Sequence, residues 1–405
     1  MPSQTKACRR PRSQNAVFER FEERFHTECT FGIWERSSPR RDVLQASNVP
    51  SEGSEKTAFW LLLAAAQAFH WPQFAGFSFG TRCVRTVCPG FMEGLLVREG
   101  KEGQVEQDLI EAIHKLKEER NGILLAHNYQ DGTIQDLADF AGDSLELSRK
   151  ASETDAELIV FCGVRFMAET ASILSPEKTV LLPDEEAGCP MADMITAEEL
   201  RRCKSEHPGA AVVCYVNSNA DVKAESDYCC TSSNASAVLR AIPERQEILF
   251  VPDKNLGEHA SQETGRNVIL WDGHCPTHVN IQPEDVLSRK QQHPDAVVMV
   301  HPECIQAVRD LADEVLSTGG MCAYALQSDA KEFIVGTEQG LLHRLRQENR
   351  DKAFFLASDS ILCPDMKRIT LDKVLESLQE MKHEVRVPEE TRVKARAALD
   401  RMLRV

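Results

Sequence analysis

From about residue 107 onward, one pattern of apolar and polar positions recurs three times. Each copy opens with a stretch of helical spacing, passes a short turn and enters a run of consecutive apolar, often β-branched residues. The copies are Gln107–His127 (QDLIEAIHKLKEERNGILLAH), Ala197–Tyr215 (AEELRRCKSEHPGAAVVCY) and Pro283–His301 (PEDVLSRKQQHPDAVVMVH), turning at Asn121-Gly122 in the first and at His-Pro in the other two. Other landmarks keep the register. Asp139, Asp227 and Asp313 align, and five residues later come Ser144, Ser232 and Thr318. Further strands are predicted at Leu158–Gly163, Ile248–Pro252 and Phe333–Gly336, and again at Thr179–Leu182, Asn267–Leu270 and Ala353–Leu356. Each last strand precedes a Cys-Pro pair, Cys189-Pro190, Cys275-Pro276 or Cys363-Pro364, with spacings of 86 and 88 residues.

A period that regular marks an internal repeat. Strands that are apolar throughout and alternate with helical stretches belong to parallel sheets covered on both faces. The predicted fold is therefore α/β, with three pseudo-threefold-related α/β/α sandwich units whose parallel sheets surround a central active site. The expected units are residues 105–195, 196–282 and 283–370. A tail, 371–405, reads as two helices separated by Val387-Pro388 and is assigned to the first unit.

Residues 1–91 break from this pattern. They carry 12 Lys+Arg against 8 Asp+Glu, and three of the four tryptophans (Trp34, Trp60, Trp71). Residues 92–405 carry 35 against 55. The readings for the first segment are a poorly ordered extension outside the repeat or a start codon placed too early, with Met92 as the true start. An organelle-targeting arm fits less well. Arg9, Arg10 and Arg12 suit one, but Glu19, Glu22 and Glu23 do not. A chain beginning at Met92 is expected to fold and turn over normally.

The net charge of −16 argues against a protein that mainly grips nucleic acid or an anionic membrane. No uncharged apolar run reaches the about 18 residues that span a bilayer. The 14 cysteines sit in a long chain without a credible secretory signal, so a cytoplasmic protein with reduced thiols is expected, some of them metal ligands. There is no G-x-x-x-x-G-K-[ST], no G-x-G-x-x-G after a strand, no G-x-S-x-G elbow and no H-E-x-x-H. Nucleotide hydrolysis, nicotinamide redox chemistry and serine hydrolysis are thus unsupported.

In open parallel sheets, ligands gather beyond the carboxyl ends of the strands. There the repeat supplies three symmetric sets: His127, Tyr215 and His301; Tyr129, Asn217 and Glu303; Ser144, Ser232 and Thr318. A hydroxyl after a short strand is ordinarily a helix N-cap, and a lone buried cysteine is ordinarily a small hydrophobe. Recurrence in all three units weighs against those readings, and most strongly for Cys189, Cys275 and Cys363. Three thiolates at one point suit zinc or an iron–sulfur cluster. With three ligands, a [4Fe–4S] cluster keeps one iron open to act as a Lewis acid. A carboxyl base (Glu303), imidazoles (His127, His301) and a phenol (Tyr129) suit the accompanying proton transfers.

The segments AHNYQ (126–130), GDSLELSRKA (142–151), FMAETASIL (166–174), GCPMAD (188–193), YVNS (215–218), PDKNLGE (252–258), GHCPTH (273–278), VHPEC (300–304), STGGM (317–321) and GTEQGLLHRL (336–345) closely resemble the quinolinate synthase (NadA) family. The resemblance covers about residues 105–405. It implies condensation of iminoaspartate (iminosuccinate) with dihydroxyacetone phosphate to quinolinate, phosphate and water in NAD biosynthesis, a transferase reaction. It also implies three α/β domains around a pseudo-threefold axis and one [4Fe–4S] cluster held by Cys189, Cys275 and Cys363. By the same resemblance, His127, Ser144, Tyr215, Asn217, Ser232, His301, Glu303 and Thr318 contact substrate. Tyr129 matches a tyrosine tied to catalysis and to closure of the site. Functional coupling to an L-aspartate oxidase or dehydrogenase is expected, with no nucleic-acid or membrane partner. Gly188 before Cys189 and Leu362 before Cys363 depart from the most familiar members without removing a ligand. The competing readings are an iron–sulfur hydro-lyase acting on a hydroxy acid and a non-enzymatic iron or redox sensor.

Overall fold

Three aspartates at equivalent places tie each unit together in the same way. Asp139 accepts from the backbone N–H of Leu124 at 2.8 Å, Asp227 from Val212 at 2.9 Å and Asp313 from Val298 at 2.8 Å. Each aspartate N–H in turn donates to the carbonyl of that same strand residue. The repeat read along the chain is therefore a repeat in space.

The structure, a computed structural model, describes Ala7–Cys8 and residues 89–405, with side chains from residue 103. The expectations for residues 1–91 otherwise lie outside the described residues. The account below concerns the compact unit that contains residues 101–405 and the short strand Ala7–Cys8.

Within this unit, residues 101–119, the later part of the helix Pro89–Glu119, lead into the first sheet. That sheet has the order Phe140–Gly142, Gly122–His127, Leu158–Cys162, Thr179–Leu181. The second has the order Tyr228–Cys230, Ala211–Tyr215, Ile248–Val251, Val268–Trp271, with Ala7–Cys8 pairing at its edge. The third runs Glu314–Val315, Val297–Val300, Glu332–Gly336, Ala353–Leu356. All strand pairs are parallel. The α/β fold of three parallel sheets alternating with helices is thus as the sequence pattern predicts. The short strands after each aspartate were not foreseen. Two or three residues are too few to show a period.

The central strands are apolar because helices cover both of their faces. Leu124, Leu125, Ile159, Val160, Val212, Val213, Leu249 and Phe250 are fully buried. Each contributes about 1.5–3 kcal/mol from burial alone. Helices begin where a side chain satisfies their first N–H groups. Asp143 and Glu146 form a reciprocal capping box, as do Thr196 and Glu199, while Ser317 caps the helix Thr318–Gln327.

The tail forms the two expected helices, Leu371–Glu380 and Glu389–Leu403, on either side of Pro388. The first lies against the first sheet, at Leu158–Cys162. The second lies mainly on Ala220–Ala224 and Tyr228–Cys230 of the second unit, and less on Arg165–Leu174. This differs from the assignment of the whole tail to the first unit. Ala395, Ala398, Leu399 and Met402 form one buried stripe, and it covers the seam between two units. Asn234 donates to the carbonyl of Met402 at 3.1 Å, which closes the same seam.

Candidate active site

The carboxyl ends of the strands face a cavity of about 150 Å³. Its wall includes His127, Tyr129 and Ser144 from the first unit, Tyr215, Asn217 and Ser232 from the second, and His301, Glu303 and Thr318 from the third. Cys189, Cys275 and Cys363 line the same cavity. All twelve residues singled out in the sequence are brought together.

The cysteines sort themselves by exposure. Of the ten free cysteines among the described residues, seven are buried and three are half-buried, and those three are Cys189, Cys275 and Cys363. Each follows the last strand of its unit and is followed by proline and a single helical turn: Ala192–Met194, Pro276–Val279 or Met366–Arg368. Proline suits the first turn of a helix, where its missing N–H is not needed. Buried carboxylates hold two of these loops. Asp253 accepts from the N–H of Cys275 at 3.1 Å, and Glu338 from that of Cys363 at 3.3 Å. Burial pushes all three thiols up, with Glu303 and Cys189 adding to the effect at Cys275. In such a place a cation that displaces the thiol protons is favoured over free thiolates. Three thiols lining one cavity fit iron ligation.

Glu303 sits at the centre of a buried polar network. Tyr215 Oη donates to its Oε1 at 2.6 Å, and His278 Nδ1 lies 2.7 Å from its Oε2. His301 Nδ1 is 3.7 Å from the same oxygen, and the two imidazoles stack with centroids 4.6 Å apart. Burial alone would raise the Glu303 carboxyl, but His278, His301 and the Tyr215 hydroxyl outweigh it and hold the group well below its usual range. Burial pushes His127 down to about 4, against the raising effect of Asp143 and then Glu303, and pushes His301 down to about 3, against that of Glu303. Burial and Glu303 both push the Tyr129 and Tyr215 phenols up. Near neutral pH Glu303 is thus a carboxylate, His127 and His301 are neutral, and the Tyr129 and Tyr215 phenols are protonated.

Tyr129 Oη is 2.6 Å from Thr337 Oγ1 and 3.4 Å from His278 Nε2, and Thr337 Oγ1 is 2.8 Å from that nitrogen. His278 Nδ1 also lies 3.2 Å from Cys275 Sγ. One imidazole therefore joins the phenol, the carboxylate and a thiol. Cys275, His278 and Glu303 each place a ligand atom within 4.8 Å of the others, so this group could hold a metal ion.

The hydroxyls are released from capping. Asp143 and Ser317 cap the two helices, which leaves Ser144 and Thr318 as first helical residues facing the cavity. Thr318 Oγ1 accepts from Asn128 Nδ2 at 3.0 Å, and Ser232 Oγ lies 3.2 Å from His301 Nε2. Asn217 Oδ1 is buried without a protein donor, an orphan acceptor in the wall of the cavity.

Comparison with known proteins gives one answer. The family model described as "Quinolinate synthetase A protein" matches residues 111–404. A quinolinate synthase of Dehalococcoides mccartyi strain CBDB1 is 59% identical over 293 residues, covering 72% of this chain and 97% of that protein. One from Geotalea uraniireducens is 54% identical over 300 residues, 74% of this chain and 98% of that protein. "Quinolinate synthase 1" of Methanosarcina acetivorans is 52% identical with the same coverage. This chain belongs to the quinolinate synthase family. Among solved structures, the E-1-hydroxy-2-methyl-but-2-enyl-4-diphosphate reductase from Plasmodium falciparum is similar at a TM-score of 0.28 and 10% identity, over 68% of this chain and 94% of that one. Nothing about this chain follows from a likeness that low.

The quinolinate synthase match contains all twelve predicted site residues. Several others were missed. His278 stands three residues after Cys275 on the same helical turn, and the C-P-x-H spacing was the signal that could have found it. Thr337, Asp253 and Glu338 follow strand ends, so their positions were legible but their contacts were not. Asn128, held by Arg344 at 3.1 Å, acts on Thr318 across two units. Among the described residues, no helix is long and apolar enough to cross a membrane.

Proposed function

We propose that this chain condenses iminoaspartate (iminosuccinate) with dihydroxyacetone phosphate, giving quinolinate, phosphate and two waters in de novo NAD biosynthesis. The observation that carries the reading is the meeting of three repeat-related, half-buried thiols with three symmetric sets of polar side chains in one cavity of a quinolinate synthase family chain. Cys189, Cys275 and Cys363 would hold a [4Fe–4S] cluster, which when bound supplies Lewis acidity for the loss of a hydroxyl group.

The protein's own groups account for the rest. Ser144 and Thr318, at the starts of helices Ser144–Glu153 and Thr318–Gln327, offer hydroxyls and backbone N–H groups to carboxylate or phosphate oxygens. Ser232, Asn217 and Tyr215 complete the polar wall. No lysine or arginine lines the cavity among the described residues, so dipoles and hydroxyls receive the anionic substrates. Glu303, ionised and central, accepts protons. Tyr129, kept protonated, donates one, and neutral His127 and His301 donate or accept hydrogen bonds. Imines hydrolyse in water, which favours supply by an L-aspartate oxidase or dehydrogenase in the same compartment, here assigned to the cytoplasm.

Anaerobically purified protein tests this reading. Iron and sulfide at about four each per chain, with quinolinate formed only when both substrates are present, would support it. Zinc without sulfide, or no quinolinate from cluster-loaded protein, would overturn it.

A further inference from the structure

We propose that the cluster-free protein binds one divalent transition-metal ion of the zinc class through Cys275, His278 and Glu303, and that this ion and the iron–sulfur cluster exclude one another. The proposal rests on the reading above only in that Cys275 serves both.

The three donors come from one turn of helix and one strand end. Cys275 caps Pro276–Val279, His278 lies within that turn, and Glu303 follows the strand Val297–Val300. Sγ and Nδ1 are 3.2 Å apart, and Nδ1 and Oε2 are 2.7 Å apart. Neighbouring ligands of a tetrahedral zinc stand roughly 3.3–3.5 Å apart, so His278 and Glu303 must part by about half an ångström and Cys275 and His278 by about 0.3 Å. A thiolate and a carboxylate neutralise a divalent cation, which suits a buried site. Outer contacts hold each ligand in place. Asp253 accepts from the Cys275 N–H, Thr337 meets His278 Nε2 at 2.8 Å, and Tyr215 donates to Glu303 Oε1. The Cys275 thiol proton leaves to solvent. The imidazole proton moves from Nδ1 to Nε2, where Thr337 Oγ1 accepts it. The fourth position opens to the cavity and takes water.

Cobalt(II), a spectroscopic substitute for zinc, is the probe. Full-length protein made without iron should bind one Co2+ with the thiolate charge-transfer intensity of one sulfur, not three. Cys275→Ser and His278→Gln should weaken binding at least about tenfold, whereas Cys189→Ser and Cys363→Ser should leave it within about twofold. Zinc added beforehand should block cluster assembly from iron and sulfide. Equal losses in all three cysteine variants, a three-sulfur spectrum, no binding, or unhindered cluster assembly would each overturn the proposal. Cluster assembly and quinolinate formation in zinc-free wild type, run in parallel, report on the catalytic reading separately.

Discussion

Tyr215, at the end of a strand in the second sheet, donates a 2.6 Å hydrogen bond to Glu303, just past a strand end in the third. Both groups are buried, and this bond fills one of the two oxygens of a carboxylate that has no lysine or arginine partner among the described residues. Tyr215→Phe leaves Oε1 without that donor. A buried acceptor left so costs about 1–3 kcal/mol. The expected outcome is a fall in kcat/KM of roughly 10- to 100-fold with the far-UV circular dichroism unchanged. Glu303→Gln removes the proposed base and should lower kcat by at least about 100-fold.

Exposure separates the three half-buried, cavity-lining cysteines from the seven buried ones among the described residues. Cys189→Ala, Cys275→Ala and Cys363→Ala should each deplete iron and sulfide in anaerobically isolated protein. Cys322, fully within the packing of the helix Thr318–Gln327, should not behave this way. Cys322→Ala is expected to keep iron and sulfide at the wild-type level and to cost at most about 1–2 kcal/mol in urea unfolding.

His127 and His301 titrate at about 4 and about 3, because burial disfavours their charged forms. Unfolded histidine titrates near 6.5. As pH falls below that value the unfolded chain takes up protons that the folded chain refuses, so stability is present at neutral pH and is lost on acidification until each folded value is reached. Each histidine should remove about 2 kcal/mol between pH 7 and 5. Urea unfolding of cluster-free protein at the two pH values measures this. His127→Asn, which keeps an acceptor for the Tyr129 N–H, should flatten the fall by the share of one histidine.

Gly340 touches the loop that carries Tyr129. A Cβ there would stand 2.7 Å from the carbonyl carbon and oxygen of Tyr129. Backbone cannot yield as a flexible side chain does. Gly340→Ala should therefore displace Tyr129 and lower kcat by roughly 10-fold or more, with a smaller change in cluster content. Comparable iron content and unchanged kcat would show that the loop tolerates the shift.

The twelve residues that line the cavity were legible because a repeat singles out equivalent positions in a single sequence. Asp139, Asp227 and Asp313 keep their register, and so do the strand ends and the Cys-Pro pairs behind them. His278 stood in plain view in GHCPTH but has no counterpart in the other two units, so the symmetry that revealed the rest passed over it. The bonds from Tyr215 to Glu303 and from Asn128 to Thr318 cross between units. No spacing along the chain encodes them.

Sequence alone determined the parallel α/β units, the location of the strand ends and the chemical types gathered there, since periodicity and residue identity are local properties of the chain. Tertiary structure alone decided that Asp143 and Ser317 take over capping and free Ser144 and Thr318. It also decided that His278 links thiol, carboxylate and phenol, and that the last helix seals the seam beside the second sheet. Those outcomes depend on which buried polar atom reaches which partner, and that is settled only when units far apart in sequence pack against one another.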